Sequence, residues 1–260
     1  MLATQCFGEG VNLVFIHGWR AHSDLWRGWI ESHFTDYRVT LIDLPGHGNS
    51  DPISLTEDQP LMEDWQNAIV EALPEQAILV GWSLGGLLAQ QIAICYPHRV
   101  KALILIASSP CFVQREDWLP ALSRPLVHHY IQEVTNNAVA LFKSFFMLQS
   151  MGSPNPRKLY QQLSSSLMVL TTDIASLKQG LTLLEEVDLR SQLVQIQQPT
   201  LWLLGEKDAI VPLELSLELA QLQPHAQLVR LDNCGHLPFM TCPEGLAVSI
   251  NRFLVEIAHD

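Results

Sequence analysis

One short segment restricts what this chain can fold into more than any other. Gly81-Trp82-Ser83-Leu84-Gly85-Gly86 lies between the apolar run Ala77-Ile78-Leu79-Val80 and the helical pattern Leu87-Leu88-Ala89-Gln90-Gln91-Ile92-Ala93. A strand that turns into a helix across a single serine forces that serine into a strained backbone conformation. Side chains two positions to either side would collide, so glycines are needed there. Such a turn holds the hydroxyl clear of the sheet, and the following helix points its N-terminal N–H groups at the same place. Ser83 is therefore the candidate nucleophile. The five-position pattern also arises by chance in turns that do no chemistry, so its partners decide the reading.

The surrounding pattern supplies a setting. Runs rich in β-formers recur at 12–16, 38–42, 77–80, 102–106, 200–204 and 227–231. Most are continuously apolar, as expected of strands covered on both faces of a parallel sheet. Helical patterns at 61–73, 84–96, 214–222 and 243–257 lie beside them, which predicts an α/β architecture. Between 110 and 184 the strand signal stops, and helical stretches appear at 118–134, 138–149 and 157–170. The expected division is a core of residues 1–110 and 185–260, with residues 111–184 inserted as a helical cap.

A serine nucleophile needs a base, and the base needs an acceptor that fixes its tautomer. Asp208 follows the run at 200–204, and His236 follows the run at 227–231. Each sits just beyond the C-terminal end of a strand, where open α/β sheets assemble their sites. The order Ser, Asp, His is that of the α/β-hydrolase fold. Glu206, in the same loop, is the alternative acid; Asp232 is read as shaping the turn before His236. For the oxyanion, Leu84 N–H is one expected donor, and Trp19 N–H, in the early turn His17-Gly18-Trp19-Arg20, is the other. His17 is read as fixing that turn.

Composition narrows the classes. A net charge of −12 argues against nucleic acid as a partner. No apolar stretch is long enough to span a bilayer, and no secretory leader is expected at the N-terminus. The five cysteines are scattered without zinc spacing, so neither a disulfide framework nor a metal is expected, and the setting is read as cytoplasmic. From Cys111 to Leu184, six Lys/Arg outnumber four Asp/Glu, and residues 134–172 contain no acid. The inserted segment thus offers an acidic partner a surface the rest of the chain does not.

The chain also carries Asp43-Leu44-Pro45-Gly46-His47-Gly48-Asn49-Ser50, Ala107-Ser108-Ser109-Pro110-Cys111-Phe112, Phe145-Phe146-Met147-Leu148-Gln149-Ser150-Met151-Gly152 and Val187-Asp188-Leu189-Arg190. With the HGW and GWSLGG segments, these make it resemble, over nearly its whole length, the BioH family of pimeloyl-acyl-carrier-protein methyl ester esterases of biotin synthesis. The resemblance implies Ser83, Asp208 and His236 as a triad, and Trp19 and Leu84 at the oxyanion hole. It implies an acyl pocket lined by Trp19, Trp82, Phe145, Phe146, Leu148 and Gln149. No cofactor is implied, the partner is an acidic carrier protein, and a monomer is expected. The family's cap binds its carrier through arginines. Here Arg157 matches one of them, Ala140, Ser144 and Gln161 stand at others, and Lys143 and Lys158 are the remaining candidates for docking. A broad short-chain carboxylesterase, a same-fold lyase and a ligand-sensing protein without turnover are the rival readings.

Overall fold

The computed structural model describes residues 1–57, 59–167 and 173–259. Its centre is a seven-stranded sheet formed by β1 (Thr4–Phe7), β2 (Val11–Ile16), β3 (Tyr37–Ile42), β4 (Ala77–Trp82), β5 (Val100–Ile106), β6 (Thr200–Gly205) and β7 (Gln227–Leu231). The spatial order is β1-β3-β2-β4-β5-β6-β7, parallel except for the antiparallel edge pair β1 and β3. The six parallel strands are those expected from the apolar runs. β1 carries no such run: its residues alternate between exposed and half-buried, so its place came from pairing with β3.

The core helices are α1 (Asp24–His33), α2 (Leu61–Ala72), α3 (Leu84–Cys95), α8 (Leu215–Leu222), the single turn α9 (Pro238–Thr241) and α10 (Pro243–Ala258). Four more, α4 (Arg124–Asn136), α5 (Ala138–Ser150), α6 (Pro156–Leu167) and α7 (Ile174–Glu186), lie between β5 and β6. Helix α3 is apolar almost all round and buried, as befits a helix between the sheet and its neighbours. None of the helices among the described residues is long and apolar enough to cross a membrane.

Two expectations change. The stretch 118–123 is not helical: Arg115 and Trp118 bond backbone to backbone in both directions, Val113 bridges Leu122, and the helix begins only after Ser123. Pro125, in the first helical turn, sets that start, because it has no N–H to give to a preceding turn. Cys234 and Cys242 are paired as a disulfide, their Cα atoms 6.2 Å apart, which corrects the expectation of unpaired thiols. Spacing in sequence could not show this, since the tight turn at α9 is what brings the two together. The last part of the expected helix at 157–170, residues 168–170, lies outside the described residues.

Candidate active site

Ser83 has φ 55° and ψ −120°, the strained turn that the flanking glycines anticipate. Packing shows why the glycines are required. A Cβ on Gly81 would stand 2.5 Å from the Gly85 carbonyl oxygen, and one on Gly85 would run into the Ile16 and His17 carbonyls. The turn is secured on both sides of the strained residue. Ser83 N–H donates to Ile106 O (3.0 Å), and the Ser83 carbonyl accepts from Gly86 N–H, Leu87 N–H and the buried Ser108 hydroxyl (2.9 Å). Ser108, named in the sequence only as part of the segment 107–112, thus holds the backbone of the turn.

Loops after β6 and β7 bring the other two groups to the serine. His236 Nε2 is 3.1 Å from Ser83 Oγ, and His236 Nδ1 is 2.9 Å from Asp208 Oδ2. A carboxylate only accepts, so Nδ1 carries the proton, and Nε2 is left to accept from the serine hydroxyl. The second carboxylate oxygen of Asp208 accepts from Ile210 N–H (2.8 Å) and Val211 N–H (3.0 Å), which fixes the plane of the group. Glu206 turns elsewhere and accepts from Asn233 N–H, while Asp232 takes Arg230. Ser83, Asp208 and His236 are all buried.

Beside them lies the turn after β2. Gly18 is pressed so close that a Cβ there would be 3.0 Å from the Cβ of Ser83, which brings the turn that carries Trp19 up to the serine. Leu84 is the first residue of α3, so its N–H has no acceptor within the helix. His17 holds the turn as expected: Nδ1–H donates to Gly18 O (2.8 Å), and Nε2 accepts from Leu44 N–H (3.0 Å).

Burial pushes the His17 imidazole down to about 4, although Asp43 opposes the shift, and burial pushes His47 down to about 3. Both are neutral in the folded protein at pH 7, whereas the unfolded chain protonates them near the ordinary value of 6.5. Between that value and the folded ones the unfolded state binds more protons, so stability falls as pH falls. Each group contributes up to about 1.4 kcal/mol per pH unit across that window. Thermal unfolding from about pH 7.5 to 4.5 should show a falling Tm, with a shallower slope for His47→Gln. An equal slope in the variant would remove His47 from this account.

The other named residues divide by position. The Trp19 ring meets Phe145 edge-on at 4.7 Å between centroids, and its indole N–H donates to Leu177 O in α7. Phe145, Phe146 and Gln149 face inward on α5, Leu148 is half-buried, and Met147 points outward at 61% exposure. Trp82 gives its indole N–H to the His236 carbonyl (2.9 Å) and packs its ring against His236, Trp26 and Phe239. It thereby braces the loop that carries the base. Trp82→Phe removes that hydrogen bond and trims the indole to a single ring, so kcat for a small ester should fall about five- to tenfold. An unaltered kcat in steady-state assays would show that the brace is dispensable. Lys143 is exposed on α5, and Arg157 and Lys158 are exposed at the start of α6. No cluster among the described residues has the donors to hold a metal ion.

The sheet order, the strained serine between β4 and α3, and a histidine and an aspartate from loops after later strands define a class. A family profile described as alpha/beta hydrolase fold matches residues 11–243, and the chain belongs to that family. Within it, the chain is 36% identical to the pimeloyl-[acyl-carrier protein] methyl ester esterase of Shewanella woodyi, over 97% of this chain and 98% of that one. It is also 36% identical to the enzyme of the same name from Aeromonas hydrophila, over 97% and 99% of the two chains. Among solved structures, an esterase from Exiguobacterium antarcticum superposes with a TM-score of 0.87 at 22% identity, covering 97% of this chain and 94% of its own. That likeness speaks for the fold.

Proposed function

We propose that this protein hydrolyses the methyl ester of a pimeloyl group carried on an acyl carrier protein, releasing methanol. The observation that carries the reading is the continuous hydrogen-bonded line Asp208–His236–Ser83. It occurs in a chain that matches, at full length, esterases named for that substrate.

In this mechanism His236 Nε2 takes the Ser83 proton as Oγ attacks the ester carbonyl, and Asp208 stabilises the imidazolium through Nδ1–H. The N–H groups of Trp19 and Leu84 receive the oxyanion. His236 then protonates the departing methoxide oxygen, leaving an acyl-enzyme on Ser83. A water molecule, deprotonated by the same imidazole, attacks the acyl-enzyme, and the imidazolium returns that proton to Ser83 Oγ as the acyl bond breaks and the carboxylic acid product leaves. The chemistry asks for no metal and no cofactor.

Residues 111–184 serve as a cap over the core of 1–110 and 185–260. Its inner face, Phe145, Phe146, Leu148 and Gln149 together with Trp19 and Trp82, suits a methylene chain, worth about 0.8 kcal/mol per buried CH₂. Because the triad and Trp19 are buried, substrate enters only when the helices between β5 and β6 shift outward. Lys143, Arg157 and Lys158 on the outer side offer cations to an acidic carrier, the two lysines with less directional grip than arginines would have. The same reading places the protein in the cytoplasm as a monomer.

Two measurements test this. The methyl ester of pimeloyl-acyl carrier protein should be a far better substrate by kcat/KM than p-nitrophenyl butyrate, and the gene should relieve biotin auxotrophy in an esterase-deficient bacterium. Equal efficiency on both esters without rescue would make it a general carboxylesterase. For docking, Arg157→Glu combined with Lys158→Glu should raise KM for the carrier-linked ester about tenfold and leave the small ester alone. Parallel effects on both substrates would reject the docking face.

A further inference from the structure

Arg20 closes the turn that carries Trp19, and its backbone is left-handed, with φ 56°. A residue with a Cβ is disfavoured there and glycine is not. Something must therefore hold the arginine in place, and its side chain supplies one such contact. Its guanidinium carbon lies 4.3 Å above the ring of Phe142, in helix α5, and the residue is only 2% exposed. A desolvated guanidinium over an aromatic face is a strong contact of its kind. Burial lowers the Arg20 pKa only to about 10, so the stacked group remains a cation at neutral pH.

The preceding residue is tied to the same helices. The Trp19 ring abuts Phe145 and Phe142 of α5, and its indole N–H reaches Leu177 O in α7 at 2.8 Å. Gly180, one turn further along α7, leaves room for that ring: a Cβ there would come within 2.8 Å of Trp19 Cδ1. Two successive residues of one core turn are thus anchored on the helices inserted between β5 and β6, while Gly18, just before them, lies against Ser83.

We infer that Arg20 is a positioning residue whose stack on Phe142 sets the backbone turn at residue 20 and so aims the Trp19 N–H at the oxyanion. The hole is then complete only while α5 is seated over the core, which couples closure of the site to its competence. The inference rests on the reading of Trp19 N–H as an oxyanion donor.

Arg20→Gly separates this role from a structural one, since glycine tolerates the left-handed turn but, without the stack, does not hold it. The expected result is an unchanged or higher Tm, with kcat for p-nitrophenyl butyrate reduced about tenfold to a hundredfold and KM within twofold. The rate at which a fluorophosphonate labels Ser83 should fall in parallel, because its phosphoryl oxygen occupies the same hole. Arg20→Lys, which keeps the cation, should recover part of the loss. Phe142→Leu should reproduce the Arg20→Gly defect, and the double variant should be no worse than either single one. Wild-type kcat and labelling rate in Arg20→Gly, or losses that multiply in the double variant, would overturn the inference. The underlying site reading fails separately, by turnover in Ser83→Ala.

Discussion

Ser83→Ala is expected to lower kcat by about four to six orders of magnitude while leaving the fold intact. The oxygen removed is the one 3.1 Å from His236 Nε2, and within hydrogen-bond reach of that nitrogen the described structure offers no second nucleophile. What turnover survives would come from water activated by the histidine beside the oxyanion donors. The strain makes a companion experiment informative. At φ 55° alanine keeps the Cβ that the turn disfavours, whereas Ser83→Gly removes it. Ser83→Gly should be as inactive as the alanine variant yet more stable, by about 1–2 kcal/mol, readable as a raised Tm. Retained turnover in either variant would remove Ser83 from the mechanism. Equal stability would show that the turn stores no strain.

Asp208→Asn should cost about three to four orders of magnitude in kcat, and the surrounding hydrogen bonds give the reason. Ile210 N–H and Val211 N–H both point at one oxygen of the side chain, so in the variant the amide oxygen stays with them. The new NH₂ group then faces His236 Nδ1, where a carboxylate oxygen stood. A donor there forces the imidazole proton onto Nε2, and Nε2 can no longer accept from Ser83. KM should change little, because the substitution touches no surface a substrate would meet. Glu206→Gln is the control: its carboxylate serves Asn233 N–H, and its loss should leave kcat near that of the parent. A variant of Asp208 within tenfold of the parent, or a Glu206 variant as impaired as Asp208→Asn, would reverse the choice between the two acids.

Much of this arrangement is legible in the chain because it rests on short-range rules. A buried parallel strand must be apolar on both faces, so most of the parallel strands announce themselves as continuous runs, while β7, at the sheet edge, is only partly buried. The turn at Ser83 admits only glycine where Gly81 and Gly85 stand, because the Gly85 carbonyl lies against the first and the Ile16 and His17 carbonyls against the second. Strand β1 escaped notice for the converse reason. It is a short edge with one half-buried face, and its four residues carry no apolar run. The stretch at 118–123 read as helical because Trp118 and Leu122 are spaced like one face of a helix. In the folded chain, Trp118 instead turns inward and gives its indole N–H to Cys111 O.

The sequence by itself determined the fold class and pointed to Ser83, Asp208 and His236, in that order, as candidates, since each reading follows from local geometry or from position at the end of a strand. Only the tertiary structure showed which of Asp208 and Glu206, two residues apart and equally able to accept a hydrogen bond, meets the histidine. The loop turns one inward to His236 and the other outward to Asn233. It also decided that Trp82 braces His236, and that Trp19 and Arg20 grip helices more than a hundred residues further along the chain. Such contacts depend on where distant backbone comes to rest, and no spacing within a strand or helix encodes that.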